Sequence, residues 1–81
     1  MRKYDPLMVF LDISGKDELT LSYEEIEKVI GNILPPTASN NKNWWNNNDK
    51  SHPQSAAWSD VGYRTCKIKL GESVTFVKQN K

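Results

Sequence analysis

The chain reads as a single α+β domain, three helices with a small antiparallel sheet in the order α-β-α-α-β-β. Three observations predict it. Ser22-Tyr23-Glu24-Glu25 is a capping box opening an amphipathic segment that stops at Gly31, a short helix with both ends signalled. Tyr63 to Leu70 alternates with the period of a strand, and Gly71-Glu72 followed by Val74 to Val77 supplies its return as a hairpin. Eighty-one residues bury too small a fraction of their surface to divide into two cores, so residues 1–81 form one domain.

At the N-terminal end, Asp5 and Pro6 suit an N-cap and a first helical position. The first helix is predicted from Pro6 to Ile13, with Leu7, Phe10 and Leu11 on its buried face and Gly15 as a left-handed cap. Glu18 to Leu21 alternates as a short half-buried strand with Leu19 and Leu21 pointing one way. In the second helix, Leu21 and Ile26 stand at the positions of a hydrophobic staple, and Ile26, Val29 and Ile30 form the apolar stripe.

Leu34-Pro35-Pro36 enforces an extended segment, and the Asn-rich stretch to Lys50 has low propensity for helix or strand, beyond one weak helical turn over Asn40 to Trp45. Ser51-His52-Pro53-Gln54 is a second capping box, so the third helix should span His52 to Val61 and stop at Gly62, with Ala57, Trp58 and Val61 inward. In the hairpin, Arg64, Cys66, Ile68 and Leu70 share one face, with Cys66 a small inward residue beside Ile68, and Gly71-Glu72 suits a two-residue turn. This is the order of winged-helix domains, with about twenty residues where a short turn usually joins the second and third helices. A compact domain tolerates such an insertion mainly for function.

Composition excludes more than it selects. Eleven basic and ten acidic side chains leave a net charge of +1, so any nucleic-acid-binding surface has to be local, and the C-terminal third is the basic part. The apolar run Leu7 to Ile13 is broken by Asp12 and is too short for a signal-peptide core or a membrane span. One cysteine excludes an internal disulfide and leaves too few thiols for structural zinc. The expected location is the cytoplasm, with no membrane partner. His52 has no cysteine or second histidine to complete a nucleophilic or metal constellation, so neither catalysis, a metal nor a cofactor is expected. Glu25 is accounted for by the cap, and Glu24 and Glu27 by a solvated helix face.

The segment Ser39 to Trp58 sets three indoles among amides with almost no aliphatic side chain to cover them. Trp58 lies on the inward face of its helix. Trp44 and Trp45 are adjacent and diverge on any regular backbone, so one indole is expected to anchor the insertion and the other to face a partner. Stacking of a base on the exposed indole contributes roughly 1–3 kcal/mol. Asn43, Asn46, Asn47 and Asn48 offer amides that can read a base edge, although Asn runs are more often the chemistry of turns and loops.

Several segments together resemble a known family: Lys3-Tyr4-Asp5-Pro6-Leu7, Leu21 to Gly31, Leu34-Pro35-Pro36-Thr37-Ala38, Trp44-Trp45-Asn46-Asn47, His52-Pro53-Gln54-Ser55-Ala56-Ala57-Trp58 and Gly62. They are similar to a family of small bacterial, archaeal and phage domains of unknown function, found alone or fused to other modules. Its members read Leu-Pro-x-[ST]-Ala, Trp-Trp-x-Asn and His-x-Gln-x-x-Ala-Trp at these places. The resemblance implies a shared fold and carries no activity with it. Relatives are Arg-rich just before the tryptophan pair, where this chain has Ser39-Asn40-Asn41-Lys42-Asn43. If those arginines hold phosphates, this member binds nucleic acid more weakly or binds something else.

The expected function is non-catalytic binding of DNA or RNA through Lys42, Asn43, Trp44, Trp45, Asn46, Lys50, His52, Gln54, Arg64 and Lys67. Two alternatives remain at this level. One is a phage or defence-associated inhibitor or adaptor that docks its aromatic loop on a protein, and the other captures a small nucleotide between the indoles. Nothing in the sequence sets the oligomeric state.

Overall fold

The computed structural model describes residues 3–47 and 53–79. These form an α+β fold of four α-helices, one 3-10 helix and three strands: α1 (Asp5–Ser14), β1 (Glu18–Ser22), α2 (Tyr23–Ile30), α3 (Pro36–Asn40), η1 (Lys42–Trp45), α4 (Pro53–Ser59), β2 (Tyr63–Lys69) and β3 (Ser73–Lys78). The sheet is antiparallel in the order β1-β3-β2, so the last strand to form in sequence is the central one. It accordingly buries Val74, Thr75 and Phe76 in succession.

The best-signalled element forms as its residues dictate. Ser22 Oγ accepts from Glu25 N–H at 3.0 Å, and Ser22 N–H donates to Glu25 Oε1 at 2.8 Å, closing the capping box of α2. Gly31, at φ 68°, ends the helix in the left-handed region. Leu21, Ile26 and Ile30 are all buried in the core. Glu27 is not on a solvated face: it is half-buried, and Oε2 accepts from Leu34 N–H at 2.8 Å, tying the end of α2 to the chain that leaves it. Glu24 and Lys28 form an exposed i,i+4 pair at 3.6 Å, worth only a few tenths of a kcal/mol.

Other expectations are corrected. α1 begins one residue earlier than predicted, with Tyr4 rather than Asp5 at the N-cap and no side-chain capping bond. Its buried stripe is Tyr4, Leu7 and Leu11, with Met8 packed against it, and Phe10 turns outward. The spacing of Phe10 fitted either face; the Tyr4-Leu7-Leu11 line won because it also meets α2 and α4. The insertion after α2 contains α3 and η1, so only the weak turn near Trp45 was legible in it. The third predicted helix is shorter, Pro53–Ser59, with a turn on to Gly62. Its proposed cap at Ser51 lies outside the described residues.

β2 packs with the opposite phase from the one its pattern suggested. Tyr63 and Thr65 are buried, whereas Arg64 is exposed and Cys66 is half-buried on the outer face, opposite Thr75. Cys66 is therefore not an inward residue beside Ile68. The register changes by one residue between Cys66 and Lys69, and Lys67 sits at φ 47°, the only non-glycine at positive φ among the described residues. That bulge returns Ile68 to the core side of the sheet. Tyr63 fixes the phase: its hydroxyl donates to Lys16 O at 2.6 Å across the end of α1, a bond available only from inside. The hairpin turn is also longer than two residues. Lys69 pairs with Ser73 across Leu70-Gly71-Glu72, with Gly71 at φ 79°.

Candidate nucleic-acid interface

The Asn-rich insertion is a structured strap. Pro35 is extended and Pro36 occupies the first turn of α3, where its missing N–H costs nothing. Ala38 is fully buried beneath α3, while Thr37, Ser39 and Asn40 are exposed. Asn41 is extended, and its Oδ1 accepts from Asn43 N–H at 2.9 Å to start η1. Thus Ser39, Asn40, Asn41, Lys42 and Asn43 are five successive exposed polar residues on a backbone with local hydrogen bonds of its own.

Beneath them, Trp45 fastens the strap. It is 1% exposed, and its Nε1 is 3.0 Å from both Tyr23 Oη and Ala38 O, donating between them. The Tyr23 hydroxyl donates in turn to Ala38 O. The Trp45 indole stacks on Trp58 with centroids 5.7 Å apart and planes at 24°, and Trp58 meets Phe76 of the central strand at 5.8 Å. Two buried indoles therefore do the work of the aliphatic side chains the segment lacks, each contributing on the order of 5 kcal/mol of gross burial.

Trp44 ends this aromatic series at the surface. It is half-buried, edge-on to Trp45 at 4.6 Å and 72° and to Tyr4 at 5.8 Å and 76°. Burial pushes the Tyr4 phenol above its ordinary pKa, so it stays neutral beside the indole. Of the three tryptophans, Trp44 is the one that retains accessible surface.

Several predicted contacts turn out to be structural. Trp45 has no surface to offer a base. Gln54 is 6% exposed and reaches Trp44 O through Nε2 at 3.4 Å, and Asn46 is half-buried with a bonding partner. Asn47, read from sequence as either a turn residue or an amide open to a base, bonds Thr65 and Trp58. Residues 54–59 of α4 are all buried or half-buried, because small Ser and Ala side chains let the helix sink between α1 and β2. Lys42, Asn43 and Arg64 are exposed as expected. Lys67 is exposed too, but its Nζ lies 3.9 Å from Glu18 Oε2 across the outer sheet face. Lys50 and His52 lie outside the described residues.

Sequence reading missed Lys78, which shares with Arg64 an open cleft of about 640 Å³ lined also by Ser59, Asp60, Gly62, Val77 and Gln79. The signal available was charge bias. Residues 1–31 hold four basic and seven acidic side chains, and residues 32–81 hold seven basic and three acidic. The η1–β2–β3 part of the fold is therefore cationic and the α1–β1–α2 part anionic, a separation that a net charge of +1 conceals.

Among the described residues no group of three or more His, Cys, Asp or Glu could hold a metal ion, and no helix is long and apolar enough to cross a membrane. No curated protein and no solved structure matches the chain. A family model described as a domain of unknown function, DUF7662, matches residues 4–80, from the aromatic ring on Trp44 to the end of the sheet, and the chain belongs to that family.

Proposed function

We propose that the protein is a non-catalytic, cytoplasmic nucleic-acid-binding module, winged-helix-like in plan, that meets its ligand with the α3–η1 ridge instead of a recognition helix. The observation carrying this reading is Trp44, half-open beside the five exposed polar residues 39–43, in the cationic part of the chain. Element order and the β1-β3-β2 sheet support the winged-helix plan. With residues 54–59 all buried or half-buried, these residues of α4 offer little surface to a groove, so contact shifts to the strap packed against β2.

In this reading the open surface of Trp44 stacks on an unpaired base, Asn40 and Asn43 make polar contacts, and Lys42 and Arg64 meet phosphates. Capture of a nucleotide between the indoles is not favoured, because Trp44 and Trp45 meet edge to face at 4.6 Å and leave no parallel slot. Docking of the aromatic loop on a phage or host protein is weakened for a related reason: two of its three indoles are internal.

Single-stranded oligonucleotide should quench Trp44 fluorescence and shift the protein's mobility at low salt. With the two phosphates held by Lys42 and Arg64 neutralised, log K should fall against log salt with a slope of about −1.4. Lys42→Ala and Arg64→Ala should each lower that slope by about 0.7. No response to single- or double-stranded DNA or RNA at low salt would end this reading.

A further inference from the structure

The cleft at the end of the sheet brings together two cations that lack counter-charges. Arg64 extends from β2 and Lys78 from the neighbouring end of β3, and both line it. Among the described residues neither side chain has an ion-pair or hydrogen-bond partner. The acids around them are accounted for. Asp60, in the lining, already has a partner, and Glu18, level with Arg64 across Val77, lies 3.9 Å from Lys67. Asp17 meets Lys78 through the backbone, its carbonyl accepting from Lys78 N–H at 2.7 Å. Ser59, also in the lining, keeps a buried hydroxyl without a partner, an orphan of the kind that a ligand or bound water satisfies.

The walls of the cleft are held by the fold itself. Gly62 O accepts from Gln79 N–H at 2.7 Å, fixing the turn after α4 against the end of β3. Within that turn Asp60 N–H donates to Ala56 O at 3.0 Å and Gly62 N–H to Ser59 O at 3.1 Å, so these carbonyls at the end of α4 are taken up in the turn rather than left to repel an anion.

We propose that this cleft binds a phosphate monoester, carried by a small phosphorylated molecule or by the phosphorylated end of a nucleic-acid strand. Its volume of about 640 Å³ is that of a small-molecule site, and its polar, cationic lining selects a hydrophilic anion. A monoester carries about −1.5 to −2 at neutral pH, whereas each diester of a strand carries about −1, so two unpaired cations match the monoester better. The Arg64 guanidinium supplies a planar fork for two phosphate oxygens, Lys78 a point charge, and the Gln79 amide a neutral donor. The site shares Arg64 with the strand-binding surface but uses neither Trp44 nor Lys42, so it goes beyond that reading and does not need it.

The test titrates methyl phosphate and dimethyl phosphate into isotope-labelled full-length protein at low salt, followed by NMR. Methyl phosphate should shift the amides of Gly62, Arg64, Lys78 and Gln79 and bind about tenfold more tightly than the diester. Lys78→Ala and Arg64→Ala should each weaken it about tenfold or more without loss of folding, since both side chains are exposed, and Arg64→Lys should fall between. Lys42→Ala should leave methyl phosphate binding unchanged, which separates this site from the ridge. Adenosine 5′-monophosphate against adenosine, and tetrathymidylate with against without its 5′-phosphate, then distinguish a free molecule from a strand end. Equal binding of monoester and diester, shifts confined to other elements, full binding by Lys78→Ala, or no gain from the phosphate in either pair would overturn the proposal.

Discussion

The side-chain amide of Asn47 pairs with the backbone of Thr65 as a neighbouring strand would: Thr65 N–H donates to Oδ1 at 2.8 Å, and Nδ2 donates to Thr65 O at 3.0 Å. The same Oδ1 accepts from Trp58 Nε1 at 3.1 Å, and the Thr65 hydroxyl donates to Trp45 O at 2.6 Å. One amide thus closes part of the free edge of β2 and locks the strap, α4 and the sheet together. Asn47→Ala would strand a backbone donor, a backbone acceptor and an indole N–H, a loss of about 3 kcal/mol by chemical denaturation. Asn47→Asp keeps the acceptor and loses the donor, so it should fall between.

The two adjacent tryptophans should separate in both stability and spectrum. Trp45→Ala removes a fully buried indole and its bonds to Tyr23 and Ala38, and should cost about 3–5 kcal/mol. Trp44→Ala, half-buried, should cost less than half of that. Iodide should quench the Trp44 component of fluorescence and leave the emission of Trp45 and Trp58 nearly untouched.

The cap of α2 gives a local check. Ser22→Ala deletes the acceptor for Glu25 N–H and unhooks the reciprocal bond, which should lower stability by about 1 kcal/mol. Ser22→Asp should retain most of it, measured by the same denaturation curves.

Tyr4 sets an alkaline limit. Its phenol is raised by burial, so the unfolded chain ionises first as pH climbs past about 10. Above that point the unfolded state binds fewer protons than the native one, and stability falls with rising pH until the folded phenol also ionises. Below it the contribution is fully present. Tyr4→Phe should flatten the alkaline slope of stability, measured by chemical denaturation as the pH rises past about 10.

Much of the scaffold was legible because it rests on local chemistry. The α2 capping box, the left-handed glycines at 15 and 31, the inward Trp58 and the hairpin needed only neighbours within a few residues. The candidate site was legible in outline, since Lys42, Asn43 and Trp44 stand where the Asn-rich stretch suggested an exposed surface. Which indole of the pair anchors the strap, and that Gln54 and Asn47 bond internally, was not legible because such a side chain shows its role only once its partners, Tyr23, Trp44 and Thr65, are brought beside it.

By itself, then, the sequence determined both ends of α2 and the places of the strands, since a capping box, a left-handed glycine and a period-two pattern are settled by contacts within a turn or two. Only the tertiary structure decided the phase of β2, the depth of α4 and the outward turn of Phe10 on α1. Tyr63 set the phase of β2 and the bulge at Lys67 brought Ile68 back to the core side, residues 54–59 of α4 were drawn into the fold, and α1 was left with a second apolar face. Those outcomes depend on which surfaces meet across the core, and partners tens of residues apart leave no mark in local spacing.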